Sequence, residues 1–128
     1  MAYYFSKTLR ISFDEAMDKA VAQLEIEGFG ILTTIDIQGA LEKKLGVDFP
    51  RYLILGACNP TLAYEALQAE DKIGTMLPCN VIVREAGDGC TEVAAVDPAS
   101  SMQAVENPRL AKVAESVRAK LERVIDSL

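Results

Sequence analysis

Histidine and tryptophan are absent from this 128-residue chain, and cysteine occurs three times, as Cys58, Cys79 and Cys90. Without histidine there is no Ser-His or Cys-His nucleophile pair, and most zinc and haem ligand sets are excluded. Three cysteines, an odd number with no Cys-x-x-Cys clip, make neither a disulfide framework nor a metal clip. No cofactor and no metal are expected. Positive charge is also scarce: thirteen Lys and Arg face nineteen Asp and Glu, a net charge of −6. That balance repels phosphate backbones and leaves no basic stripe, so nucleic acid is not an expected partner. Apolar runs such as Tyr52-Leu53-Ile54-Leu55 are too short to cross a bilayer, and the opening MAYYFSKTLR lacks the long apolar stretch of a secretory signal. The expectation is a cytoplasmic protein that does not engage membranes.

Phosphate loops are missing too, since Gly28-Phe29-Gly30 and Gly87-Asp88-Gly89 match no nucleotide-binding pattern and read as turns. The carboxylates Glu25, Glu27, Asp36, Glu42 and Asp48 fit caps and solvated helix faces, and no two are spaced for acid–base work.

What is present is a strong alternation of elements within one domain, residues 1–128. Tyr3 to Ile11 reads as a strand. Ser12 and Glu15 form a capping box ahead of a helix whose inner face is Phe13, Met17, Ala20, Val21 and Leu24, with Gly28 as its stop. Phe29 to Ile35 is a second strand. Asp36 caps a short helix ended by Gly46, with Ile37, Leu41 and Leu45 predicted to form its buried side.

Tyr52 to Ala57 is the third strand, and Asn59-Pro60 starts a helix facing inward through Leu62, Ala63, Ala66 and Leu67. Asn80 to Arg84 and Thr91 to Val96 are two strands joined through Gly87-Asp88-Gly89, after which Asp97-Pro98 turns the chain away. Asn107-Pro108 opens the last helix. Its stripe runs through Leu110, Val113, Ala114, Val117, Leu121, Val124, Ile125 and Leu128. This order predicts an α+β fold, a five-stranded and mainly antiparallel sheet with helices on one face. The other face is then either wetted by polar side chains or covered by a second copy.

Several of these stretches, taken together and in this spacing, carry a resemblance: Glu27-Gly28-Phe29-Gly30-Ile31-Leu32, Asp36-Ile37, Lys44-Leu45-Gly46-Val47-Asp48, Leu55-Gly56-Ala57-Cys58-Asn59-Pro60 and Leu77-Pro78-Cys79-Asn80-Val81. From about Lys7 to Pro98 the chain resembles the bacterial and archaeal family called domain of unknown function 302. The resemblance implies a curved, helix-covered sheet similar to the TATA-binding-protein-like fold and a homodimer, with no activity established. Likeness to a DNA-binding architecture carries no functional weight, because function resides in sites.

Cys58 stands just before a helix N-terminus, where the helix dipole and free N–H groups favour an anion or a thiolate. Cys79 and Asn80 open another strand in the second motif. Should the two loops meet, Cys58, Asn59, Pro60, Leu77, Pro78, Cys79 and Asn80 would frame a pocket. Lys43, Lys44 and Arg51 are the local positive charge that could complement an anion there. Three readings stay open: a non-enzymatic homodimeric domain binding a small molecule or anion at these loops, a thiol enzyme or redox sensor using Cys58 and Cys79, and a structural oligomerisation module. For Cys58 the plain alternative is that of a small apolar side chain filling the bend.

Overall fold

The structure, a computed structural model, describes residues 2–128. Five strands, β1 (Tyr4–Leu9), β2 (Gly30–Asp36), β3 (Tyr52–Cys58), β4 (Cys79–Gly87) and β5 (Cys90–Val96), form one sheet in the order β1-β5-β4-β3-β2, every neighbouring pair antiparallel. The helices are α1 (Phe13–Ile26), α2 (Ile37–Leu45), α3 (Pro60–Ala69), α4 (Pro98–Ser101) and α5 (Pro108–Asp126), with a 3₁₀ turn over Ile73–Met76. The fold is therefore the α+β arrangement the periodicity predicts. α4 and the 3₁₀ turn are additions, single turns too short to leave a periodic signature.

The helix starts obey cap chemistry. The Ser12 hydroxyl accepts from the Glu15 N–H at 3.2 Å and donates to Glu15 Oε1 at 3.1 Å. Asp36, Asn59, Asp97 and Asn107 cap the other four helices in the same way. α1 ends at Gly28, whose φ of 87° favours glycine.

α1 and α5 lie on the sheet and on each other, while α3 and α4 rest mainly on α5. Strand alternation sends Leu55, Ala57, Cys79, Val81, Val83, Val93 and Ala95 to the helix side, where all are buried. They meet the α5 stripe, of which Leu110 to Ile125 are buried and Leu128 is half-buried.

One expectation is corrected. Ile37, Leu41 and Leu45 do not form a buried side: α2 has no buried residue, and Leu45 is 69 % exposed. The helical stripe exists, but α2 follows the edge strand β2 and its main neighbour is β3, so no layer reaches its outer face. The hairpin is also longer than predicted. β4 continues to Gly87, and Gly87, Asp88 and Gly89 all take positive φ at the turn.

Asn59 and Asn107 do more than cap. Asn59 Nδ2 donates to the Glu27 carbonyl just beyond α1, at 3.4 Å, and Asn107 Nδ2 donates to the Ala69 carbonyl at the end of α3, at 2.8 Å. Each amide thus ties the start of its own helix to the end of an earlier one. Asn107→Ala is expected to lower unfolding stability by about 1–2 kcal/mol, the usual cost of a lost cap. Asn107→Asp keeps the cap oxygen but sets a carboxylate oxygen against the Ala69 carbonyl and the Glu70 carboxylate, so it should cost at least as much; urea denaturation of the two variants checks the order.

Candidate functional site

Register decides whether the two motif loops meet. Ala57 pairs with Cys79 and Gly56 with Asn80 across β3 and β4, so the 58–60 and 77–80 segments leave the sheet at the same end. Beyond that end α3 leans on α5 and not on the sheet, and a cavity of about 330 Å³ lies between them. Cys58, Asn59, Leu77, Pro78 and Cys79 line it, together with Phe29 and Leu32 from the β2 side. The opposite walls are Leu62, Ala63, Ala66 and Leu67 of α3, Pro98 and Met102 at α4, and Val113, Ala114 and Val117 of α5.

The walls are apolar apart from the Asn59 amide and the two thiols, and no charged residue is among those that line the cavity in the described chain. The mouth is marked by Leu32, 69 % exposed, by Leu67, 44 % exposed, and by the exposed Gly74.

Two residues of the expected site lie elsewhere. Asn80 alternates with Cys79 to the open face of the sheet, where it is exposed beside Ile82 and Arg84 and away from the cavity. Pro60, at the first position of α3, is exposed and does not line the cavity. Asn59 lines it, but its amide is engaged by the fold: Oδ1 accepts from the Leu62 N–H at 3.3 Å while Nδ2 donates to Glu27.

That geometry bears on anion binding, because part of the α3 N-terminus is already satisfied by its own cap. Nor does the expected positive cluster reach the cavity. The Arg51 guanidinium sits 4.0 Å over the Phe13 ring and pairs with Asp14 at 3.3 Å; Lys43 and Lys44 are exposed on α2.

The thiols are all free; Cys58 is half-buried and Cys79 buried. Burial first, and the neighbouring Cys58 second, push the Cys79 thiol from 9.0 up to about 11. At pH 7 only about one Cys79 in ten thousand is then a thiolate, too few for a ready resolving nucleophile. The residue opposite Cys79 is Ala57, not Cys58, and both thiols line the cavity. Among the described residues no group of three or more His, Cys, Asp or Glu is placed to hold a metal ion.

Sequence reasoning missed the α4 wall and the role of α5. The available signal was the small residues Ala63, Ala66 and Ala114, which helical periodicity assigns to the core without showing that they face one another across a gap.

The comparisons place the chain in its family. Residues 5–128 match the family described as "Domain of unknown function DUF302", and the protein belongs to it. The match extends past Pro98 to the end of α5. The chain is similar over 98 % of each chain, with a TM-score of 0.89 and 25 % identity, to a structure titled "Crystal structure of uncharacterized conserved protein DUF302 from Bacillus stearothermophilus". No curated protein matches it. No helix of the described residues is long and apolar enough to cross a membrane.

The Cys79 environment has a measurable consequence. A thiol that holds its proton more tightly folded than unfolded stabilises the fold at every pH below its unfolded value. That contribution is lost as pH rises from about 9 to about 11. Two pH units correspond to about 2–3 kcal/mol. Denaturation across this window should show wild type losing more stability than Cys79→Ala by that order; parallel losses in the two proteins would place Cys79 in contact with water.

Proposed function

We propose that this domain binds a neutral, apolar small molecule in the cavity between α3, α4, α5 and the ends of β3 and β4, without performing chemistry on it. The observation that carries the reading is an apolar space of ligand size. At about 330 Å³ it falls within the range of roughly 300–1,000 Å³ for small-molecule sites. The exposed Leu32 and Leu67 at its mouth leave the space open to a ligand from solvent. Apolar walls offer water few hydrogen-bond partners, so displacing that water favours an apolar guest.

Within the small-molecule-or-anion alternative, the apolar lining favours the neutral molecule. No cationic side chain is present to offset a buried charge, whose desolvation would cost several kcal/mol. A thiol-based reaction has less support, given the protonated and buried Cys79.

Thermal shift and calorimetry with a medium-chain alcohol and the carboxylate of equal length test the reading. The alcohol should bind and raise Tm, and the carboxylate should bind at least tenfold more weakly. Ala63→Phe, which fills the space from α3, should abolish binding while leaving Tm unchanged or higher. Equal affinity for both compounds, or retention of binding in Ala63→Phe, would reject the proposal.

A further inference from the structure

The cavity is lined by eighteen of the 128 residues, yet three of the chain's seven sulfur-bearing side chains, Cys58, Cys79 and Met102, are among them. They reach it from three separate segments: the end of β3, the start of β4 and the residue after α4. Phe29, only 3 % exposed, adds an aromatic ring at the entry to β2, where its N–H donates to the Leu24 carbonyl at 2.9 Å. Burial keeps the Cys79 thiol protonated at neutral pH. It therefore offers the space a neutral, polarisable sulfur and not a thiolate, which the negative face of a ring would repel. The one amide side chain among the described lining residues, Asn59, is committed at both ends to backbone groups. A guest's polar atom is thus left to the mouth, at Leu32, Leu67 and Gly74.

On the reading that the cavity takes a neutral apolar molecule, we infer that its ligand is a planar aromatic of about two fused rings, held by sulfur and ring contacts. Size sets the ring count: an apolar cavity of roughly 150 Å³ takes one benzene, so about 330 Å³ takes two rings. Sulfur sets the aromatic character. Thioether and thiol sulfurs are polarisable and favour ring edges, each such contact being worth roughly twofold to tenfold in affinity. Phe29 offers a ring for aromatic pairing, which a saturated guest cannot use. Rigidity acts in the same direction, since fused rings have no rotors to freeze, whereas a flexible alkyl chain of equal carbon count loses its freedom on entry.

Calorimetry at neutral pH with 2-naphthol and its saturated counterpart, decahydro-2-naphthol, tests the inference, because the two share one carbon skeleton and one uncharged hydroxyl. 2-Naphthol should bind the wild-type chain at least about tenfold more tightly. Met102→Leu, which keeps the apolar volume and removes the sulfur, should narrow that ratio by about twofold to tenfold. Cys58→Ala should narrow it in the same way from the strand side, and it decides alone if Met102→Leu loses the wild-type circular dichroism spectrum. Equal affinities, tighter binding of the saturated compound, or a ratio that the folded variants leave unchanged would overturn the inference. In each of those outcomes the cavity still holds a neutral guest, so the proposed function stands. Failure of both bicyclic compounds while the medium-chain alcohol binds would likewise overturn the inference alone, and failure of all three would remove the proposed function with it.

Discussion

α5 is the part on which the rest of the helix layer rests. Its apolar stripe is long enough to meet β1 and β5 on one side and α1, α3 and α4 on others. α3 therefore takes its position from α5 and from its two tethered ends, not from the sheet. Asn59 holds its N-terminus to the end of α1, and Asn107 holds its C-terminus to the start of α5. Glu27, whose carbonyl receives Asn59, also binds Arg123 of α5 through its carboxylate at 3.1 and 3.0 Å. A helix suspended in this way, with alanines on its inner side, cannot close onto the strand ends. The cavity is the space that remains.

α4 completes that wall by the same logic. Asp97 accepts from the Ala99 N–H at 3.0 Å and from the Ser100 hydroxyl at 3.4 Å, and pairs with Arg118 of α5 at 3.2 Å. Asp97 is buried, so its charge is compensated by hydrogen bonds and by a guanidinium, as burial of a carboxylate requires. A four-residue helix with little burial of its own is thereby fixed to the longest helix in the molecule, with Pro98 and Met102 turned to the cavity.

At the strand-end wall of the cavity, close packing requires glycine at position 56. A Cβ on Gly56 would stand 2.6 Å from Thr33 Cγ2 and 2.8 Å from Pro78 Cγ. The absent side chain lets the 77–80 loop and the bulged strand β2 approach β3 together. Gly56, Pro78 and Cys79 lie in the two motifs that carry the family resemblance, and part of what those motifs encode is this junction. Asn59 serves the same end, since both ends of its amide belong to the backbone around it.

Local rules were enough to read the element order, the caps at Ser12, Asp36, Asn59 and Asn107, and the α5 stripe, because each depends on neighbours a few positions away. The meeting of the 58–60 and 77–80 segments was legible as a condition, but pleat alternation then sent Asn80 to the open face while Cys79 went to the helix side. Apolar periodicity reports that a helix has a face to bury and not whether another layer arrives to bury it, hence the exposed Leu45. Nor does it report that alanines on α3 and α5 stand across empty space. Those outcomes belong to tertiary structure, because volume, exposure and a shifted thiol pKa arise only where chain segments distant in sequence are brought side by side.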